Sequence, residues 1–290
     1  MKVSFIGLGI MGKPMAHNLL KKQSLDVVYN RTESKTIPFK EAGVEVANSP
    51  KEAAEKSDVL ITMLSDSPDV EEVILGPNGV IEGVQNGSIV IDMSSINPEV
   101  SKKIGLQLEE KGAFLLDAPV SGGEKGAIDG TLAIMVGGDE AVLNHVLPVL
   151  NIVGSSVVRV GELGAGGYAK LANQIMVALH LEAMSEAFLL AKKADLDFHQ
   201  LYNAIRGGLA GSHVLEQKID HLIEEDFTPG FKVDLHLKDI NNALQAAESQ
   251  GIDLPYTKRI QKSMEEMAEQ GYGDLDHSSL YSYLSKVVNK

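Results

Sequence analysis

Lys170, Asn173 and Gln174 stand three and four residues apart in GELGAGGYAKLANQ, a spacing that places all three on one face of a helix. A lysine is an unusual opening for the apolar stretch that follows, IMVALHLEAMSEAFLLA. It is either a solvated first-turn residue whose stem lies along the surface or a proton donor aimed into a cleft. The helix dipole mildly disfavours a cation at that end and so lowers the cost of losing its proton, which suits a general acid. A second group is Ser121-Gly122-Gly123 in DAPVSGG, at the end of an apolar run. Its hydroxyl and backbone N–H groups could form a concavity for a small carboxylate, with Pro119 stiffening the approach. Taken alone, it is equally an ordinary surface turn.

The glycine loop Gly7-Leu8-Gly9-Ile10-Met11-Gly12 follows a short apolar strand, Lys2 to Ile6, and precedes helical spacing from Lys13 to Lys22. In that context the three glycines serve a tight turn, close approach of backbone to a pyrophosphate, and close helix–strand packing. Gly7, Gly12 and Lys13 also approach a nucleotide-triphosphate loop, but Pro14 stands where a magnesium-binding hydroxyl is needed. A second strand, Leu25 to Tyr29, ends in Asn30-Arg31-Thr32. Proteins that prefer NAD usually place a carboxylate here for the ribose hydroxyls, whereas a guanidinium and a hydroxyl suit a 2′-phosphate. NADP is therefore favoured as cofactor, with NAD possible because Asn30 can serve both; a merely solvated Arg31 is the alternative.

These groups need a scaffold, and the hydrophobic pattern supplies one. Apolar runs at 59–64, 88–93, 113–117, 131–138 and 155–160 alternate with amphipathic stretches such as 97–111 and 139–150. Short apolar strands alternating with helices indicate a mainly parallel sheet covered on both faces. After Gly164 helical periodicity runs to 288, broken near 195–197, 207–211, 228–230, 251–255 and 271–277. The expected fold is α/β: a Rossmann-type dinucleotide-binding domain over 1–162, then an all-α domain over 163–290 that begins with a long helix at the cleft. GAGG is expected to form a flexible turn into that helix.

Composition narrows the function. Twenty-six basic against forty acidic residues give a formal charge of −14, which argues against nucleic acid or an anionic membrane as a partner. There is no cysteine, so disulfides, thiolate nucleophiles and zinc–cysteine sites are excluded and a cytoplasmic location is the expectation. The N-terminus begins like a signal peptide, but Lys13 and Pro14 interrupt it and no small-residue cleavage pattern follows. His180, Glu182, Ser185 and Glu186 mark the apolar segment 175–191 as a buried helix rather than a membrane span. No metal site is expected: the histidines show no HExxH pairing, and Asp274, Asp276 and His277 read as a helix-start cap. No G-x-S-x-G elbow is present, so serine hydrolysis lacks its signature.

GLGIMGKPMA, DAPVSGG, GAGGYAKLANQ and VDLHLKDI resemble, in order and across the full chain, the four characteristic motifs of the β-hydroxyacid dehydrogenase family. The resemblance implies a reversible, NAD(P)H-dependent reduction of a small aldehyde acid to a β-hydroxyacid. It implies that Lys170 is the catalytic lysine, that Ser121, Gly122 and Gly123 hold the substrate carboxylate, and that Asn173 orients substrate and lysine. By the same resemblance Lys238 would reach the cofactor or substrate, and Met63, Leu64 and Ser95 would line the nicotinamide side. Gln174 stands where the family often has Asn, which leaves its role open. DMSSINP, SGGEKGAIDGTL, RGGLAGSHVLEQK and DHSSLYSYLSK are most similar to the branch that converts tartronate semialdehyde to D-glycerate. Branches acting on 3-hydroxyisobutyrate, glyoxylate or succinic semialdehyde are the alternatives, and a non-catalytic dinucleotide-binding module is a remote one. The long apolar helix makes a homo-oligomer the expectation.

Overall fold

A computed structural model describes residues 1–288 of the chain. The chain divides into two compact units, Met1–Lys170 and Leu171–Lys290. The division falls inside a helix, eight residues beyond the boundary expected at 162.

The first unit holds nine strands among the described residues: β1 (Val3–Ile6), β2 (Val27–Tyr29), β3 (Glu45–Val46), β4 (Val59–Thr62), β5 (Ile89–Asp92), β6 (Phe114–Asp117), β7 (Val120–Ser121), β8 (Leu132–Gly137) and β9 (Gly154–Gly161). They form one sheet in the order β3-β2-β1-β4-β5-β6-β8-β7, with β9 also paired to β8. The pairings from β3 through β6 are parallel. β8 then runs antiparallel to β6 and β7, and one register carries through both, since Met135 N–H donates to the Pro119 carbonyl between them. The short β3 and β7 have no signal in the sequence; each is only two residues long.

Seven helices cover this sheet: α1 (Gly12–Lys21), α2 (Ile37–Glu41), α3 (Pro50–Glu55), α4 (Ser67–Leu75), α5 (Pro98–Glu109), α6 (Gly123–Asp129) and α7 (Glu140–Val153). Alternate strand residues feed two separate cores. Val3, Phe5, Ile61 and Ile91 pack with Met15 and Leu19 of α1 and Val146 and Leu150 of α7. Ile6, Leu60 and Val90 point the other way and pack with Ala53, Val70, Ile74, Ile104 and Leu108 of α3, α4 and α5. Burial on both faces is why these strands read as unbroken apolar runs rather than as alternating ones. Helix starts follow local chemistry: Ser49, Asp66, Asn97 and Asp139 each cap a helix with a side-chain oxygen.

The helix α8 (Ala165–Lys193) runs from the first unit into the second, which adds α9 (Phe198–Ile205), α10 (His213–Glu224), α11 (Val233–Ser249), α12 (Pro255–Met267) and α13 (Leu280–Val288). By length and composition α8 could cross a membrane. In this fold it contributes Ala178, Leu181, Met184 and Phe188 to a core shared with Leu215, Ile219, Ile240, Ile260, Met264 and Leu280. Fully burying a Leu, Met, Ile or Phe side chain stabilises by about 1.5–3 kcal/mol. The polar face of α8 carries His180 and Glu186, while Glu182 pairs with Arg259 of α12 at 3.3 Å.

Candidate active site

The sheet order reverses between β1 and β4, with β2 and β3 to one side and β5 and β6 to the other. In open α/β sheets the ligand crevice lies at such a point, beyond the C-terminal ends of the strands. The glycine loop follows β1, Asn30 to Thr32 follow β2, Met63 and Leu64 follow β4, Ser95 follows β5 and Ser121 closes the β6–β7 segment. Topology thus brings together, on one edge of the first unit, residues spread over more than a hundred positions of sequence. A cavity of about 950 Å³ lined by Lys2, Asp26, Glu45 and Asp58 lies at the opposite, N-terminal ends of the strands, away from this edge.

The three loop glycines differ in what they require. Gly7 has φ +99°, and a Cβ there would lie 2.2 Å from the Met63 carbonyl oxygen. A Cβ on Gly12 would lie 1.9 Å from the Gly7 carbonyl oxygen. Both are demanded by packing within the protein. At Gly9 a Cβ would meet no protein atom within 4 Å, so bareness there exposes backbone outward. Helix α1 begins beside it with no side-chain cap and no acidic residue in its first turn, leaving an N-terminus suited to an anion. Exposed backbone at Gly9 and an uncapped helix end fit the pyrophosphate of a dinucleotide. Leu8 is buried, while Ile10 is exposed and Met11 half-buried.

Asn30 holds this loop directly. Its Oδ1 accepts the Leu8 N–H at 2.8 Å, and its Nδ2 donates to the Thr32 carbonyl at 2.9 Å. The Arg31 side chain is 87% exposed and lies 3.7 Å from Asp69 in the first turn of α4, leaving its guanidinium at the surface beside the loop. Across the reversal point, Asp92 at the end of β5 accepts from Thr62 Oγ1 at 2.8 Å and Ser94 Oγ at 2.6 Å. Ser94 Oγ in turn accepts the Leu64 N–H at 2.9 Å, which fixes the backbone after β4. Ser95 is the next, half-buried residue.

The first turn of α8 corrects the expectation of a flexible turn. Helix starts at Ala165, so most of GAGG lies inside it, and its glycines permit close contact rather than motion. A Cβ on Gly166 would lie 2.4 Å from both the Asp117 and Met135 carbonyl oxygens, and one on Gly167 would lie 3.1 Å from Pro98. The Asp117 carboxylate accepts the Gly164 N–H at 2.8 Å and the Gly167 N–H at 2.7 Å, capping the helix from the end of β6. Burial pushes the Asp117 carboxyl up to about 6, against the pull of those two donors. Tyr168 adds a bond to Glu99 of α5 at 3.1 Å. Lys170 is therefore a second-turn residue, beyond the first turn where the helix dipole acts, and it is only 8% exposed. That burial argues against a solvated surface lysine.

Ser121 is half-buried, and Gly122 and Gly123, with φ +135° and +62°, are exposed; α6 starts at Gly123 without a side-chain cap. In the second unit Asn173, Gln174 and Lys238 belong to one hydrogen-bonded group. Asn173 Nδ2 donates to Gln174 Oε1 at 2.9 Å, and Gln174 Nε2 donates to Asp239 Oδ2 at 2.6 Å. Asp239 Oδ1 lies 3.1 Å from Lys238 Nζ. Gln174, whose part the sequence leaves open, is the bridge between the asparagine on α8 and the ion pair on α11. Sequence reasoning misses Asp239, Asp117 and Ser94; their only signal is that they lie inside DMSSINP, DAPVSGG and VDLHLKDI. Asp276 does cap the turn at His277–Ser279, as expected, but its second oxygen also accepts from Gly230, Phe231 and Lys218.

The geometry defines a dinucleotide-binding fold with a buried lysine in the same unit. Residues 2–161 match the model of the NAD-binding domain of 6-phosphogluconate dehydrogenase, and residues 164–284 match that of NADP-dependent 3-hydroxyisobutyrate dehydrogenase. The chain is 43% identical over 291 residues to 2-hydroxy-3-oxopropionate reductase of Escherichia coli, covering 100% of this chain and 99% of that one. It is 36% identical to 2-(hydroxymethyl)glutarate dehydrogenase of Eubacterium barkeri, over 96% of this chain and 93% of the other. Among solved structures, 3-hydroxyisobutyrate dehydrogenase of Mycobacterium tuberculosis with L-serine superposes with a TM-score of 0.89 at 31% identity, covering 98% of each chain. The chain belongs to the β-hydroxyacid dehydrogenase family. It is an oxidoreductase that binds a nicotinamide dinucleotide and acts on small hydroxyacids.

Proposed function

We propose that the enzyme reduces tartronate semialdehyde (2-hydroxy-3-oxopropanoate) reversibly to D-glycerate, with NADPH favoured over NADH. The observation that carries this reading is the position of Lys170, buried one helical turn beyond glycines docked on Asp117, in the unit that also bears the glycine loop. The full-length likeness to the Escherichia coli enzyme supports the choice of substrate. The exposed Arg31 guanidinium next to Asn30, with no carboxylate at the end of β2, supports NADPH.

Gly7 to Gly12 would cradle the pyrophosphate, Asn30 to Thr32 the ribose end, and Met63, Leu64 and Ser95 the nicotinamide side. When bound, the reduced nicotinamide supplies the hydride to the aldehyde carbon. The Lys170 ammonium stabilises the negative charge that builds on the carbonyl oxygen and then gives it a proton. In the oxidative direction the neutral amine of Lys170 takes the hydroxyl proton. Ser121 Oγ and the N–H groups of Gly122 and Gly123 hold the substrate carboxylate. Asn173, three residues along from Lys170, orients substrate and lysine, and Lys238 brings positive charge to substrate or cofactor. The exposed apolar stripe of α8, Met176 and Leu190 at 60% and 73% exposure, supports a homo-oligomer.

A panel of tartronate, 3-hydroxyisobutyrate and succinic semialdehydes and glyoxylate, assayed with NADPH and NADH, tests the substrate. A higher kcat/KM on another member would replace the reading. Lys170→Ala should lower kcat by about 10²- to 10⁴-fold while NADPH still binds. Equal turnover by parent and variant would remove Lys170 from the mechanism.

A further inference from the structure

Two buried histidines lie outside the residues assigned above. His236 of α11 is fully buried and His277 is 5% exposed. Their Nδ1 atoms are 2.9 Å apart, and the Phe231 ring packs against both, with centroids 5.7 and 5.4 Å away. On its other side, His236 Nε2 lies 3.3 Å from the backbone carbonyl oxygen of Gln174.

Donor arithmetic assigns the protons. A carbonyl oxygen only accepts, so Nε2 of His236 carries a hydrogen. In a neutral ring Nδ1 is then an acceptor, and Nδ1 of His277 must be the donor. Burial, then the neighbouring His236, holds His277 well below the ordinary histidine value. The other charged or titratable groups around it are Asp276, Lys218 and His221. Burial works against the Asp276 carboxylate, but the neighbouring His277, then Lys218 Nζ at 2.8 Å, hold it well below the ordinary carboxylate value, and the N–H groups of Gly230, Phe231 and Ser278, each at 3.0 Å, also donate to it. Only with both rings charged would two N–H groups face each other across the Nδ1–Nδ1 contact.

We infer that His236 and His277 form a tautomer-locked strut that fixes Gln174, and through it Asn173 and Lys238, in the arrangement that the reduction uses. The path is continuous: His277 donates to His236, His236 to the Gln174 carbonyl, and the Gln174 side chain joins Asn173 to Asp239 and its Lys238 partner. Both histidines are positioning residues, acting through Gln174. The inference rests on the roles proposed for Asn173 and Lys238.

Long-range ¹H–¹⁵N correlation spectra of the full-length protein, labelled at histidine, read the tautomers directly. The expected result is His277 as the Nδ1–H form and His236 as the Nε2–H form, with His277 not titrating between about pH 6 and 8. An Nε2–H form at His277, or ordinary titration of that ring, overturns the strut. Kinetics supply the second measurement, because His236→Gln keeps a donor at the Nε2 position and His236→Leu removes it. The Leu variant should raise KM for tartronate semialdehyde about five- to tenfold, the scale of one lost hydrogen bond, with NADPH affinity unchanged, and the Gln variant should recover most of it. A folded Leu variant with parental KM overturns the positioning role. Asn173→Ala with parental kinetics would instead remove the role given to Asn173, and the tautomer spectrum would still decide the strut.

Discussion

The Asp117 carboxylate accepts the backbone N–H of Gly167 at 2.7 Å, and three residues further along the same helix stands Lys170. The other carboxylate oxygen takes the Gly164 N–H at 2.8 Å, so the end of β6 fixes both the start and the direction of α8 within the first unit. A lysine at the end of a free loop would have to be ordered at each turnover; here the backbone is already held.

That bond has a pH signature. The Asp117 carboxyl lies at about 6 in the folded protein against 3.8 ordinarily, so between those values the folded state holds a proton that the unfolded chain releases. The stability this contributes is complete below about pH 4 and is lost as pH rises through 6, by roughly 3 kcal/mol for a shift of that size. Urea unfolding of the parent and of Asp117→Asn across this range should show the parent losing stability relative to the variant as pH rises. Parallel curves would refute it.

The glycine loop separates fold from binding. Gly9→Ala should leave the melting temperature within ~2 °C, because its Cβ meets no protein atom, yet weaken NADPH about tenfold or more by pushing the pyrophosphate off the backbone. Gly12→Ala should instead destabilise the protein by more than ~2 kcal/mol, since its Cβ would lie 1.9 Å from the Gly7 carbonyl. Calorimetry with fluorescence titration of NADPH measures both.

Arg31 should decide between the two cofactors. Arg31→Ala is expected to weaken NADPH about tenfold or more, the loss of a charged hydrogen bond, while NADH changes less than about twofold. Asp69 competes for the same guanidinium at 3.7 Å, so Asp69→Asn should tighten NADPH. Identical losses for both cofactors would show that Arg31 does not read the 2′-phosphate.

Self-association should depend on the outward stripe of α8. Met176, Ala183 and Leu190 recur every seven residues and are all exposed. A double variant, Met176→Asp with Leu190→Asp, should keep its far-ultraviolet circular dichroism and shift to a smaller mass by light scattering. A parent protein already monomeric at high concentration would exclude the interface.

Much of this is legible in the sequence because it is local. Apolar runs of strand length, the glycine spacing after β1 and the 3.6-residue period of α8 each lie within one stretch of chain. GAGG reads as a flexible turn in one dimension because glycine suggests freedom; only the tertiary contacts with Asp117, Met135 and Pro98 show that it permits close packing. Asp274 to His277 has the pattern of a cap, and the sequence carries no sign that His277 meets His236 across 41 positions.

The sequence by itself determined the class of protein: a glycine loop between strand and helix, a lysine at the head of a long helix and four ordered motifs are patterns of adjacent residues, readable without coordinates. Tertiary structure alone decided how those residues are held, through Asp117 on the α8 backbone, Asn30 on Leu8, Gln174 on Asp239 and His236 on the Gln174 carbonyl. Each of these joins positions at least twenty residues apart, and such bonds exist only once strand order and helix packing have brought their partners within 3.5 Å.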